Sequence, residues 1–78
     1  MEELNPIVAL AELVQSRYGA NIETKVLGKT GADHCPTVEV EITLPTGEAF
    51  KAYGSNKKLA KQKAAKEALE YLGVVEVY

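Results

Sequence analysis

Apolar and polar side chains alternate without interruption along one segment of the chain, residues 37–44. Its apolar members are Val38, Val40, Ile42 and Leu44, and the polar members between them are Glu39, Glu41 and Thr43. Successive side chains of a β-strand point to opposite faces, so a period of two predicts a strand with one buried and one solvent-exposed face. Such a strand is typical of an antiparallel sheet, and it requires strand partners and an apolar cover.

Shorter segments on either side predict the two partner strands. Residues 22–27 predict a first strand, and residues 28–36, which are polar and contain glycine and proline, predict a loop after it. The Pro-Thr-Gly sequence at 45–47 predicts a turn, and residues 48–53 predict a third strand. The inward-facing residues of this third strand are Phe50 and Ala52. The order of the segments predicts three consecutive antiparallel strands.

A helix is predicted before the strands. Asn5 can cap the free amides of a first turn, and Pro6 at the first helical position loses no needed donor. The apolar stripe at helical spacing consists of Ile7, Leu10, Ala11, Val14 and Tyr18, with Leu13 and Arg17 on its flank. Gly19 ends the pattern. Glu12 lies nearly opposite this stripe, and Val8, one turn earlier, lies on the same outward side.

A second helix is predicted after the strands, from about residue 57 to residue 72. The Gly-Ser-Asn sequence at 54–56 breaks the third strand and offers helix caps, and Gly73 is a natural stop. The apolar side of this helix carries Ala60, Ala64, Ala65, Ala68, Leu69, Tyr71 and Leu72. The sequence therefore predicts an α+β fold in the order α-β-β-β-α, a three-stranded antiparallel sheet with two helices packed on one face.

The length and composition of the chain limit the classes of protein to which it can belong. We expect its 78 residues to form a single domain, with a core at about 5–72 and a short tail at 73–78. Cys35, the one cysteine, cannot form an internal disulfide, and one Cys beside one His falls short of the four ligands of structural zinc. No signal peptide or membrane span is readable, so we expect an intracellular protein, cytoplasmic or nuclear, without metal or cofactor.

The net charge argues against a nucleic-acid partner, but the distribution of charge argues for one. The chain has 9 Lys and Arg against 11 Asp and Glu, which gives a net charge of −2 and a pI near 5.3. Residues 51–66 nevertheless contain six lysines and no acid. The sequence therefore predicts one basic edge on an acidic body.

The charges of the second predicted helix also oppose its dipole. A helix N-terminus favours Asp or Glu, each by roughly 0.3–1 kcal/mol. This helix instead begins with Lys57 and Lys58 and adds Lys61 one turn later, whereas Glu67 and Glu70 lie toward its C-terminal half. A lysine-rich solvated face is the plain interpretation. An external anion, such as a phosphate backbone at the free amides, explains the reversed order better.

These segments resemble the double-stranded-RNA-binding domain family over about residues 5–72. The most specific part is Lys-Lys-x-Ala-Lys-x-x-Ala-Ala at 57–65, which opens the last helix. Residues 5–13 resemble the first helix of the family, including its Glu, and Gly-Ala-Asp-His at 31–34 is similar to the Gly-Pro-x-His loop of the family. The three matches occur in the order that the family requires.

The resemblance implies contacts with two successive minor grooves of an RNA duplex. In one groove, Glu12 would accept hydrogen bonds from 2′-hydroxyls or a base edge, and Val8 would rest against the groove floor. The loop with His34, together with the backbone of Asp33, would enter the second minor groove. This mode of binding is mainly specific for duplex shape rather than for sequence.

The resemblance also implies phosphate contacts across the intervening major groove. Lys57, Lys58 and Lys61 would hold phosphates and position the duplex without reading its sequence. Lys63 and Lys66 point elsewhere on the helical wheel and are interpreted as solvated residues. The lysine cluster is the one site that the residues indicate without the resemblance.

The sequence departs from the family pattern at several positions. Ala32 stands where the family usually has Pro, which makes the loop less rigid. Cys35 and Pro36 follow the His where many members have a basic residue, so that one phosphate contact is lost. Val38 replaces a common Phe, which changes packing rather than binding.

Two other functions remain open. The same fold can serve as a protein-interaction or homodimerisation module with weak or no RNA binding, and the acidic surface and the apolar tail suit that role. An enzyme is the third alternative, but the chain shows no carboxylate pair, metal cluster or Gly-rich phosphate loop, and we expect no catalysis from this module itself. A parent protein that carries the module can still be an RNA-processing enzyme.

Overall fold

The computed structural model describes residues 5–32 and 35–73. The elements along the chain are α1 (Pro6–Tyr18), β1 (Glu23–Ala32), β2 (Cys35–Thr43), β3 (Ala49–Gly54) and α2 (Lys57–Tyr71). The three strands form one antiparallel sheet in the order β1-β2-β3. The predicted fold class, α+β with the order α-β-β-β-α, is therefore confirmed.

The central strand β2 has the two faces that its sequence predicts. Val38, Val40 and Ile42 are buried, and Leu44 just after the strand is buried as well. Glu39, Glu41 and Thr43 alternate with them and are half-buried on the opposite face, which we call the open face. We call the other side, on which α2 packs, the helix face. The turn after β2 also forms as predicted, because the amide of Gly47 donates to the carbonyl of Leu44 over 2.9 Å.

The prediction of a polar loop over residues 28–36 is wrong. β1 continues to Ala32, and β2 begins at Cys35, with Ala32 paired to Cys35. An edge strand needs backbone pairing on one side only, so exposed polar residues and glycines do not end it. Pro36 is tolerated because it lies at the second position of β2, where the ladder begins. The two strands are therefore paired as far as residues 32 and 35, and residues 33 and 34 between them lie outside the described residues.

β1 also contains a β-bulge that the sequence does not predict. Val26 pairs with Val40, but the next pair joins Gly28 to Glu39, so Leu27 is an extra residue on β1. This β-bulge places two residues of β1 opposite one residue of β2. The alternation of faces along β1 consequently reverses at the bulge.

α2 covers the sheet with a row of small side chains. Ala60, Ala64, Ala65 and Ala68 are all fully buried, and Leu69 is nearly so. Alanine at these positions lets the helix backbone approach β2 and β3 closely. Ala60 packs with Val38 and Val40, whereas the other alanines join Ile42 and Leu44 in the larger core cluster.

α1 packs against α2 and completes this core with Leu10 and Val14. Its caps are those that the sequence predicts. The side chain of Asn5 accepts a hydrogen bond from the amide of Ile7 over 2.9 Å. At the other end, Gly19 adopts the left-handed conformation with φ of 70°, and its amide donates to the carbonyl of Gln15. Tyr18, which the helical spacing places on the apolar stripe, is instead 40% exposed.

Polar contacts add to the core packing of Ala68 and Leu69 at the C-terminal end of α2. Tyr71, which the sequence predicts on the apolar side of α2, is 57% exposed. Its ring packs against Phe50 with 5.4 Å between centroids, and its hydroxyl donates to a carboxylate oxygen of Glu48 over 2.9 Å. This partner outside the helix explains the exposure, because the phenol reaches across to the start of β3. Nearby, Arg17 donates to the carbonyl of Leu72 over 3.4 Å.

The Glu48 carboxylate is therefore sensitive to the Tyr71 phenol. Hydrogen bonds from Thr46 and Tyr71 lower the pKa of Glu48, and the bond to Glu48 raises the pKa of Tyr71. We expect Tyr71→Phe to raise the pKa of Glu48 toward its usual range. The lowered pKa of Glu48 contributes stability above its unfolded pKa, and that contribution is lost as the pH falls through its folded pKa. For Tyr71 the contribution is present below its unfolded pKa and is lost as the pH rises through its folded pKa.

A carboxyl-carbon NMR titration of Glu48 in the wild type and in Tyr71→Phe measures this shift. Tyr53→Phe is the matched control, because it is Glu39, and not Glu48, that raises the pKa of the Tyr53 phenol. An unchanged titration midpoint of Glu48 in Tyr71→Phe would show that the phenol does not act on the carboxylate.

Candidate nucleic-acid interface

The first turn of α2 presents the predicted lysine cluster. The side chain of Asn56 accepts a hydrogen bond from the amide of Leu59 over 2.9 Å, which caps the helix and begins it at Lys57. Lys57 and Lys58 are exposed, and Lys61 one turn later is half-buried. At about 100° per residue, these three lysines lie within an arc of roughly 100° on α2. The structure therefore brings the three lysines together.

The remaining lysines of α2 lie on another side of the helix. On the same helical wheel, Lys63 and Lys66 fall well over 100° from the centre of the cluster, and both are exposed. They also lie further along α2 from the N-terminus, where the free amides are, than Lys57 and Lys58 do. This separation agrees with their interpretation as solvated residues and makes them useful controls.

No acidic side chain lies in the first turn of α2. The helix N-terminus carries a partial positive charge from its unpaired amides, and the lysines add full charges to it. This arrangement opposes helix stability and attracts anions. The first turn of α2 therefore has the electrostatic character of a phosphate-binding surface.

Gly54 lets α2 begin close to the end of β3. A Cβ atom at residue 54 would lie 2.6 Å from the amide nitrogen of Ala60 and 3.0 Å from the carbonyl carbon of Leu59. Both are backbone atoms, so the helix would have to move to admit a side chain. The sequence indicates Gly54 only as a strand breaker, and its steric role was missed. The signal for that role is its place as the last strand residue before a capped helix.

The exposed face of α1 carries the other predicted contact residues that the structure describes. Val8 is 51% exposed, and Glu12 one turn later is exposed on the same side. Beside them a shallow open depression is lined by Ala11, Glu12, Gln15 and Ser16. An exposed branched apolar side chain one turn from a carboxylate gives this face both a contact surface and a hydrogen-bond acceptor.

The remaining predicted residues, Asp33 and His34, lie outside the described residues. The adjoining backbone is described and leads directly to them. Gly31 has a φ of 101°, a conformation that favours glycine, and Ala32 pairs with Cys35 at the end of the ladder. The hairpin of β1 and β2 therefore runs as paired strands up to the position of the predicted loop contact.

Within the described ranges, 5–32 and 35–73, no three Cys, His, Asp or Glu side chains are grouped as metal ligands. Neither helix in those ranges is long and apolar enough to span a bilayer.

The α-β-β-β-α fold with a basic first turn on its last helix is typical of a nucleic-acid-binding module. The model of one protein family, described as the double-stranded RNA binding motif, matches residues 6–72. The chain belongs to this family and is a module that binds double-stranded RNA.

The curated relatives include ribonuclease 3 from several bacteria. The chain is 44% identical over 62 residues to ribonuclease 3 of Wolinella succinogenes, which covers 80% of this chain and 26% of the relative. It is 44% identical over 64 residues to ribonuclease 3 of a Nitratiruptor species, covering 82% of this chain and 28% of the relative. For ribonuclease 3 of Ehrlichia chaffeensis the identity is 46% over 56 residues, covering 72% and 25%. The chain thus spans about a quarter of the length of these relatives.

We expect Gly54→Ala to destabilise the protein, because the new methyl group meets backbone atoms that can move only with the helix. Overpacking of this kind typically costs about 1–3 kcal/mol. Urea denaturation measures the loss, and amide chemical shifts of Lys57 and Lys58 report movement of the first turn.

Gly28→Ala is the matched control for this substitution. It adds the same methyl group to a strand glycine, but nothing lies within 4 Å of the new atom. We expect its stability to stay within about 0.5 kcal/mol of the wild type. Equal stability losses in the two variants would contradict a specific steric role of Gly54.

Proposed function

We propose that this module binds an RNA duplex through three separate surfaces. Lys57, Lys58 and Lys61 hold phosphates across the major groove, Val8 and Glu12 occupy one minor groove, and the segment between β1 and β2, with Asp33 and His34, enters the next. The observation that carries the proposal is the reversed charge order of α2, in which three lysines lie on one side of the helix near an N-terminus whose first turn has no acid.

The phosphate contacts supply affinity without sequence readout. Lysine is a flexible point charge, and phosphates are the same in every sequence, so the cluster positions the duplex rather than selecting bases. Since the net charge of the chain is −2, long-range attraction to RNA is weak, and binding depends on these local contacts. We therefore infer a modest affinity that falls steeply as salt is added.

The contact of Glu12 gives the module its preference for RNA over DNA. A carboxylate is an acceptor only, so it matches the hydroxyl donors that line the minor groove of RNA and that DNA lacks. Val8 beside it adds an apolar contact that tolerates any base pair. Shape and 2′-hydroxyls, rather than base identity, then select the ligand.

We further propose that the module forms part of a longer RNA-processing protein similar to ribonuclease 3. The support is its likeness to about a quarter of each of these relatives. In this assignment residues 1–78 are one binding domain without catalysis of its own, and cleavage belongs to another part of the protein. We infer from this role that the protein acts inside the cell.

The lysine cluster is tested by two double variants of equal charge. We expect Lys57→Ala with Lys58→Ala to weaken binding to an RNA duplex of about 20 base pairs by at least tenfold, because a hydrogen bond to a charged group contributes roughly 1.5–3 kcal/mol. The slope of log affinity against log salt should become shallower by roughly two, since each lost phosphate contact removes about 0.9. Fluorescence anisotropy at several salt concentrations measures both quantities.

Lys63→Ala with Lys66→Ala is the control, because it removes the same charge from the same helix outside the cluster. We expect a change of less than about threefold from the weaker long-range field alone. Equal losses in the two double variants would show that net charge, and not the cluster, governs binding.

Glu12 is tested by comparing matched RNA and DNA duplexes. We expect Glu12→Ala to lower RNA affinity about tenfold while leaving the weaker DNA affinity nearly unchanged, so that discrimination between the two falls. Glu67→Ala removes an exposed acid from α2 and serves as the control for charge. A gain of RNA affinity in Glu12→Ala would identify the carboxylate as a repulsive surface charge and contradict its role.

A second function, association with a protein partner or a second copy, has one supporting observation. Val26 and Leu27 are 49% and 40% exposed on the edge strand β1, where unpaired backbone groups are also available. An increase of mass with concentration in light scattering, without binding to a long RNA duplex, would favour this function over RNA binding.

A further inference from the structure

We propose that Lys29, on β1, is a further phosphate-binding residue that extends the lysine cluster of α2 across the sheet. The proposal rests on the RNA-binding function given above and adds a contact from a different element. It is carried by the register of the sheet, which places the side chain of Lys29 on the helix face beside the first turn of α2.

The register determines the face on which Lys29 lies. Lys29 is paired directly with Val38, and directly paired residues of antiparallel strands project from the same face. Val38 is buried beneath Ala60, so that face is the one on which α2 packs. Lys29 itself is exposed, because it stands on the edge strand beyond the cover of the helix.

The β-bulge is what directs Lys29 to this face. Lys25 and Lys29 are four residues apart and would share a face in a regular strand. Lys25, however, is paired with Glu41 on the open face, and the extra residue Leu27 reverses the alternation before Lys29 is reached. Bulges commonly redirect side chains in this way.

The same register brings Lys29 close to the start of α2. Val38 pairs with Lys29 on one side and with Gly54 on the other, so these three residues form one row across the sheet. With neighbouring strands about 4.8 Å apart, the Cα atoms of Lys29 and Gly54 are roughly 10 Å apart. A Cβ at Gly54 would lie 2.6 Å from Ala60, so the row ends at the first turn of α2.

No acidic side chain of the three described strands shares the face of Lys29. Glu39 and Glu41 lie on the open face, and Glu23 pairs with Thr43 on that same face. The sheet thus separates its charges, with the acids on the open face and Lys29 on the helix face. The row of Lys29, Val38 and Gly54 is therefore basic at both ends, with Lys29 at one end and the lysine cluster of α2 at the other. A phosphate bound at the cluster faces this basic surface.

The width of this surface fits a nucleic-acid strand rather than an isolated anion. Phosphates recur along each strand of a duplex every few ångströms of axis, about 3.4 Å in B-DNA, so a basic surface roughly 10 Å across reaches more than one of them. Lys29 would hold a phosphate adjacent to those held by Lys57 and Lys58. Its ammonium would donate hydrogen bonds to the phosphate oxygens without any base contact.

Lys29→Ala and Lys25→Ala form a matched pair that tests the proposal. Both variants remove one exposed lysine from β1, but on opposite faces of the sheet. For an RNA duplex of about 20 base pairs, we expect Lys29→Ala to lower affinity roughly three- to tenfold and to make the salt slope shallower by about one. We expect Lys25→Ala to change affinity less than twofold and to leave the slope unchanged, and Lys29→Arg to retain binding.

The double variant Lys57→Ala with Lys58→Ala is measured in the same series to separate the two proposals. If it loses affinity while Lys29→Ala matches Lys25→Ala, the role of Lys29 is overturned and the proposed function stands. If neither Lys29→Ala nor the double variant Lys57→Ala with Lys58→Ala lowers affinity for the RNA duplex, the proposed interface itself is wrong. Circular dichroism melting of each variant confirms that affinity is compared between folded proteins.

Discussion

The close approach of α2 to the central strand is the contact on which the rest of the structure depends. Ala60, Ala64 and Ala68 carry only a methyl group each, so the helix backbone lies directly over the apolar residues of β2. Larger side chains would lift the helix and open cavities around Val40 and Ile42. Because the first turn of α2 is part of this rigid contact, the lysines on it are held at a defined height above the sheet.

That contact also explains why a functional surface is located where helix stability alone would not place it. Lysines at a helix N-terminus oppose the macrodipole, each by a few tenths of a kcal/mol to about 1 kcal/mol. The Asn56 cap and the buried alanines offset this cost, since helices in proteins are stabilised mainly by tertiary packing. The first turn of α2 can therefore retain an unfavourable local charge pattern that suits an anionic ligand.

Periodicity in the sequence predicts the regular parts of this fold. The alternation of β2, the caps Asn5 and Asn56 and the alanines of α2 are local signals, and the structure confirms the strands and helices that they predict. The bulge at Leu27 carries no such signal, because it follows from how two strands align over a distance and not from either strand alone. The exposure of Tyr71 is not readable from the sequence for a related reason, since its partner Glu48 is remote in sequence. The lysine cluster was accessible to sequence reasoning because its members lie within one helical turn of each other.

The bulge also changes how the charge of the chain is to be understood. The net charge of −2 does not show where the charges lie. The register of the sheet places the strand acids on one face and Lys29 on the other. Glu39 and Glu41 project from the open face, away from α2, and so do not cancel the field at the lysine cluster at short range. The single extra residue Leu27 in β1 determines whether Lys29 lies on the open face with the acids or on the helix face near the lysine cluster. In a module of this size, strand register is therefore as much an electrostatic property as a geometric one.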